Sequence, residues 1–290
     1  MSFYAFAGPE NFQIAERAGL LSSAMLTQGP EVLRVINAIS LRFIDGGLKI
    51  VAIVDASRTV APRDTLVGID IETDVRAMIF KALDWGGTPE WVPSVLIEAR
   101  EPVTPLGDEI IQTQPDHGTA GFSVNWAGGS GYLTAGHVAR MSGGPVYFTA
   151  TGTAGRVIAS REPSVATGTA PEPDVAVVEA AYTPAVNLHR AVVRPGAMEP
   201  VTLSTRLGQK TDNVRAYSDF YYTRTINGCY GQVFELMNGV ARGGDSGSAV
   251  YDSHFAPIGT LVAGTPNGMS LVQSVTYQIQ RIGVYGLTLT

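Results

Sequence analysis

The 290-residue sequence predicts a mainly β fold, a barrel or sandwich of antiparallel strands, behind a smaller α+β segment. Three observations carry that expectation. Glycine occurs 33 times, with 45% apolar and only 16% charged residues, the balance of a compact chain with many turns. Short β-prone runs separated by glycine, proline and asparagine recur through the second half. Before about residue 105 the texture differs, and helix and strand signals alternate there.

Along the first segment, Pro30-Glu31 opens an expected helix to about Phe43, since proline at a first helical position sacrifices no hydrogen bond. The runs "LKIVAIVDA" and "TLVGIDIE" are expected as buried strands. Thr73 stands where it could cap a helix with Val75, Met78, Ile79, Ala82 and Leu83 on one face, closed by Gly86-Gly87. "WVPSVLIEA" predicts a further strand. "EPVTPLGDEIIQTQPDHG", residues 101–118, is rich in turn formers and suits a linker between domains at 1–105 and 106–290. After it, "GFSVNW", "GYLTAGH", "PVYFTA", "GRVIAS", "VAVVEA", "YYTRTI", "QVFELM", "SAVYD" and "IGTLVAG" are expected strands.

Several partners are not expected. A formal charge of −6 gives no polyanion-binding surface, which argues against nucleic acid. The start, "MSFYAFAGPENFQ", lacks a basic stretch followed by an apolar one, and runs such as "IVAIV" are far short of a membrane span. A soluble, cytoplasmic protein with no membrane partner is therefore expected. The single cysteine, Cys229, excludes an intrachain disulfide and reads as an incidental thiol beside the turn Asn227-Gly228. No metal or nucleotide motif is present, so no cofactor is expected. "AGGSGY" lacks the lysine of a phosphate loop, and Asp70, Glu72 and Asp74 read as a solvated strand end.

The chemistry is concentrated in three places. "VARGGDSGSAV", residues 240–250, holds Ser246 in a glycine-rich turn. His137 stands where the apolar run of "GYLTAGHVA" stops, held by a strand yet at its end, as a general base must be. Asp174 begins the strand "DVAVVEA", where a carboxylate can be desolvated and can fix an imidazole tautomer. Each alone is commoner as a loop histidine, a turn aspartate or a turn serine. Together they follow the order His…Asp…Ser.

"TAGHVA", "DVAVVEA" and "GGDSGSAV" resemble the three signature segments of the chymotrypsin-like serine proteases, in particular the bacterial α-lytic-protease-like branch. "AGFSVNWAGGSGYLTAGH" resembles that branch's opening hairpin, and "IQRIGVYGLTLT" its closing helix and strand. The resemblance covers about residues 106–290 and implies a double antiparallel β-barrel. It implies Ser246 as nucleophile, His137 as base and Asp174 as its orienting acid, with the N–H groups of Gly244 and Ser246 as oxyanion hole. It implies that Asp245 is a carboxylate bracing the loop, and that Val240 floors the primary pocket. Val262, Ala263 and Gly264 would line the cleft that binds a peptide or protein substrate as an added strand. With no acid at Val240, a small or medium apolar side chain before the cleaved bond is expected.

The sequence also departs from the family's pattern. Val138 replaces a frequent cysteine, Val262 a serine that usually bonds the triad aspartate, and "LGQKTD" only loosely matches a glycine- and threonine-rich loop. The resemblance implies that residues 1–105 are a pro-region-like segment that assists folding and is then cut off, or else a retained domain that regulates, self-associates or binds a partner. Without a signal peptide the retained domain is expected. Two other functions are weighed. An esterase of the α/β-hydrolase type fails because Ser248 stands where its elbow needs glycine. A catalytically silent or self-processing assembly protein is the rival from a different class.

Overall fold

In the computed structural model the described residues are 8–55, 71–83, 91–100, 104–105, 118–139, 143, 145–147, 154–163, 170–180, 195–205, 207–223, 226, 228–265 and 268–290. Among the described residues the strands form two sheets. The larger contains β10 (Pro200–Thr205), β11 (Gly208–Thr223), β12 (Gly228–Leu236), β13 (Ala249–Asp252), β14 (Pro257–Gly264) and β15 (Ser270–Ser274). They run in the order β10-β13-β14-β15-β12-β11, and β10 also pairs with β11, so the six close into a barrel. The smaller sheet has the order β16 (Thr288–Leu289), β5 (Ser123–Trp126), β6 (Gly129–Thr134), β9 (Val175–Glu179), β8 (Ala154–Arg161), β7 (Pro145–Tyr147). Every pairing in these two sets is antiparallel. They correspond to the two antiparallel halves of the expected fold.

The N-terminal strands belong to the barrel's own sheet. β1 (Ile36–Ile44) lies against β11 with Ser40 opposite Ser218 and Leu41 opposite Tyr217. β2 (Gly47–Asp55) follows β1, and β3 (Leu96–Arg100) lies parallel to β2. The expectation of an α+β segment with texture of its own thus meets a sheet that continues through it. Two helices cover this extension. The first, α1 (Gly8–Thr27), has no counterpart among the expected elements, although Ala15, Ala18, Leu21, Ser22 and Met25 form its buried stripe at helical spacing. The second, α3 (Ile71–Leu83), buries Val75, Ile79, Ala82 and Leu83, and these residues join Val201, Tyr217, Phe234 and Val272 in one core. Fully burying a side chain such as Val75 or Ile79 contributes roughly 1.5–3 kcal/mol.

Two local expectations need correction. The helix expected from Pro30 to Phe43 ends at Leu33 as α2 (Pro30–Leu33), and β1 follows. The reason is pairing on both sides: Asp45 (φ 51°) and Gly46 (φ 77°) form a tight turn matched to strand twist, and β2 folds back along β1. α3 begins two residues before Thr73, so that threonine lies inside the helix and does not cap it, and Ile71 and Glu72 are helical too. The remainder of "TLVGIDIE", the Gly86-Gly87 stop, and all of the linker but 104–105 and Gly118 lie outside the described residues.

Buried charge ties the extension to the barrel. Glu235 of β12, fully buried, accepts from Arg100 of β3 at 2.7 Å and from Ser40 of β1 at 2.9 Å, with Arg42 of β1 also in reach. Glu98 pairs with Arg42 and Arg100. Burial alone would raise the Glu98 carboxyl, but the hydrogen bond and charge of Arg100, joined by Arg42, outweigh it and hold the pKa at about 2. The same competition leaves the Glu235 pKa lowered. Among the described residues no helix is long and apolar enough to cross a membrane.

Candidate active site

The three singled-out residues come from three different element ends. α4 (Gly136–Ala139) is one helical turn at the end of β6 and carries His137. Asp174 immediately precedes β9. Ser246 lies in the turn before β13, within the larger sheet. The site therefore sits at the seam of the two sheets, and all three residues are buried.

Their contacts form one line. The carboxylate of Asp174 accepts from the His137 backbone N–H at 2.9 Å through Oδ1, and from Nδ1 at 2.7 Å through Oδ2. An ionised carboxylate can only accept, so Nδ1 carries the proton and the neutral ring presents Nε2 as an acceptor. Nε2 lies 2.9 Å from Ser246 Oγ. That distance is within range for proton transfer from a hydroxyl to an imidazole. Gly136 makes the line feasible: a Cβ there would stand 1.9 Å from the Arg161 carbonyl oxygen and 3.0 Å from Asp174 Oδ1.

Helix α5 (Val275–Ile282) braces the acid from behind. Ser274 caps its first turn, Gly283 ends it at φ 80°, and it buries Val275, Tyr277, Gln278 and Ile282. Gln278 Nε2 donates to the Asp174 carbonyl oxygen at 3.0 Å and to Thr260 Oγ1 at 2.7 Å. Gln273 Oε1 accepts from the Asp174 N–H at 2.7 Å, while its Nε2 donates to the carbonyls of Glu172 and Gly231. Val262, where the resemblance would place a serine, is wholly buried among Tyr230, Val233 and Leu271. Bracing of Asp174 thus falls to two glutamines that the sequence reading did not single out.

The serine turn is equally constrained. Gly244 has φ 85° and Gly247 φ 88°, a backbone region that side chains disfavour. Thr119 donates from its N–H to the Ser246 carbonyl at 2.7 Å and from Oγ1 to the Gly244 carbonyl at 2.9 Å. With both carbonyls held on that side, the N–H groups of Gly244 and Ser246 have no protein acceptor among the described residues. Two free donors beside a hydroxyl are what an oxyanion hole requires. Asp245, 2% exposed, accepts from the Arg242 N–H at 2.9 Å and from Lys210 Nζ at 2.6 Å, both through Oδ2. Lys210, in the loosely matching "LGQKTD", was not singled out either.

Of the residues expected to line a cleft, Val240 is partly buried against the main core, and Ala263 and Gly264 are buried in β14. β4 (Thr104–Pro105) is paired with them, Pro105 opposite Ala263 and Thr104 opposite Gly264. His254 is exposed beside Asp252, whereas His117 and His189 lie outside the described residues. Cys229 is fully buried in β12, and burial pushes its thiol pKa up, away from thiolate chemistry. Among the described residues no group of three or more His, Cys, Asp or Glu is placed to hold a metal ion.

No protein-family model and no curated protein matches the chain. Solved structures do. Thermobifida fusca protease A is 19% identical over 65% of this chain and 95% of its own, with a TM-score of 0.46. A glutamic-acid-specific serine protease with a histidine triad in substrate binding is 17% identical over 65% and 97%, with a TM-score of 0.48. Cellulomonas bogoriensis chymotrypsin is 21% identical over 65% and 95%, with a TM-score of 0.44. In fold, the chain is similar to the chymotrypsin-like serine proteases.

Proposed function

We propose that the protein is a serine endopeptidase that cuts peptide bonds through an acyl-enzyme on Ser246. The observation that carries this reading is the unbroken line Asp174–His137–Ser246 at 2.7 and 2.9 Å. Ser246 Oγ attacks the peptide carbonyl while His137 Nε2 takes its proton. The developing oxyanion faces the Gly244 and Ser246 N–H groups, and His137 returns the proton to the leaving amine. Water then repeats the sequence on the ester and frees the serine. A peptide binding beside Ala263 and Gly264 would be held as an added strand. With Val240 flooring the pocket, a small or medium apolar side chain before the cut is preferred.

The silent-scaffold reading requires a site that is assembled but inert. Reaction with a fluorophosphonate probe, followed by peptide mapping, separates the two. The expected result is labelling at Ser246 that Ser246→Ala and His137→Ala both abolish. Asp174→Asn should slow it by roughly four orders of magnitude, because the imidazole is then held in the wrong tautomer. Labelling should climb with pH through the range where histidine side chains lose their proton, about 6.5 in free peptides. A folded wild-type protein that takes no label would overturn the proposal.

A further inference from the structure

Asp174 opens a strand of the smaller sheet, yet the backbone that carries it is bonded to the larger one. Tyr277 of α5 donates its hydroxyl to the Pro171 carbonyl at 2.6 Å. Glu172 donates from its N–H to the Cys229 carbonyl at 2.8 Å, and its carbonyl accepts from the Gly231 N–H at 3.2 Å and from Gln273 Nε2 at 3.0 Å. A Cβ at Gly231 would collide with the Tyr277 side chain, so the close packing needs that glycine. Asp174 itself is held at both backbone groups, its N–H by Gln273 Oε1 of β15 and its carbonyl by Gln278 Nε2 of α5. Both glutamines are fully buried.

The same Gln278 amide also reaches the strand that holds the nucleophile. Its Nε2 donates to Thr260 Oγ1 of β14 at 2.7 Å. The next residue of β14, Leu261, accepts from the Gly247 N–H at 2.8 Å and donates to the Ser248 carbonyl at 3.0 Å, which fixes the two residues after Ser246. One amide therefore joins the backbone of the acid to the strand that positions the serine. Only His137, at the end of β6, is delivered by the smaller sheet. Resting on the function proposed above, we infer that Gln278, assisted by Gln273, is a positioning residue that sets the distance between Asp174 and Ser246, and that the His137 ring bridges a gap fixed by β14.

The chemistry of the site calls for such a group. Among the described residues the Asp174 carboxylate accepts only from the backbone N–H and Nδ1 of His137. With no third donor on the carboxylate, the backbone of Asp174 must carry the precision. An amide suits that task because it donates and accepts at once and carries no charge to compete for the imidazole proton. Acting on the backbone, it also leaves the whole carboxylate charge directed at His137. Proton transfer at 2.9 Å tolerates little drift, and a misplacement of about 1 Å typically costs a hundredfold in rate.

Gln278→Met keeps the volume and removes both amide bonds, and Thr260→Val cuts only the link to β14. In the full-length protein, Gln278→Met should slow fluorophosphonate labelling by on the order of a hundredfold, and Thr260→Val should slow it to a smaller degree. Repeating Gln278→Met on an Asp174→Asn background should cost far less, since no carboxylate is left to be placed. Equal slowing on both backgrounds, as independent sites give, would overturn the positioning role. Proton NMR supplies a reading that needs no activity: the Nδ1 proton shared by His137 and Asp174 resonates far downfield. That signal should broaden or vanish in Gln278→Met. It should persist in Ile282→Ala, which removes a buried α5 side chain that does not touch Asp174 and serves as the control for lost stability. Loss of the signal in both variants, or in neither, would overturn the inference. Wild type that takes no label would overturn the peptidase reading, and the resonance would then decide the role of Gln278 by itself.

Discussion

Lys210 reaches across from β11 to Asp245, the residue between the proposed oxyanion glycine and the nucleophile. Removing it leaves a carboxylate that is 2% exposed without its counter-charge. Breaking such a pair costs about 3 kcal/mol at the low end of the measured range, apt here because Lys210 keeps some solvent contact. Lys210→Met should therefore lower the melting temperature and slow fluorophosphonate labelling, by no more than the roughly thousandfold that loss of an oxyanion donor costs. Lys210→Arg should restore most of both. Equal labelling rates in the three proteins would show that the turn holds itself. His137, Asp174 and Ser246 could be singled out in the sequence because each has a characteristic neighbourhood in its own segment. Lys210, Gln273 and Gln278 could not. Gln273 and Gln278 act on Asp174 from 99 and 104 residues away through ordinary amide hydrogen bonds, and local sequence carries no mark of such distant partners.

Between elements, the charges shared by β1, β3 and β12 decide how firmly the N-terminal strands are held. Arg100→Met should destabilise the protein by roughly 3–5 kcal/mol, since Glu235 stays buried with one cation fewer. The pH dependence has a definite sign. The Glu98 pKa falls from 4.5 to about 2 on folding, so its contribution is complete above 4.5 and disappears as pH falls toward 2. Denaturant midpoints should drop across that window, and less steeply in Glu98→Gln. A midpoint level across it would argue against the cluster as a source of stability. Legibility was uneven at this scale. The strand "LKIVAIVDA" and the helix around Ile79 announced themselves by apolar pattern. The helix expected after Pro30 failed because the proline signal outweighed the hairpin signal Asp45-Gly46 fifteen residues later. β10 and β15 carry little local signal: "PVTLST" and "SLVQS" are short, with polar residues interleaved, and only their partners across the barrel make them strands.

For the whole molecule, the continuous sheet means that residues 106–290 made alone should not reach the same state. Without β1 the outer edge of β11 at Ala216–Ser218 is unpaired, and the core around Tyr217, Phe220 and Phe234 loses the residues of α1, β1 and α3. Expressed by themselves, these residues should aggregate or show no cooperative unfolding transition by circular dichroism, and adding residues 1–105 in trans should rescue them. A cooperative, probe-reactive 106–290 would show that the extension is dispensable. The texture change near residue 105 was visible in the sequence. The joining of the two stretches was not, since pairing between Ser40 and Ser218 spans 178 residues.

That span also sets a schedule for the newborn chain. The hairpin of β1 and β2 leaves the ribosome long before β11 exists to meet it. At about 5–20 residues per second, the interval is roughly ten to thirty seconds. Throughout it, the outer edge of β1 offers open hydrogen-bond sites to any strand that passes, including the same hairpin on a neighbouring nascent chain. Completion then depends on closing a separation of 178 residues, which favours slow folding, and slower synthesis lengthens the time for which that edge stays open.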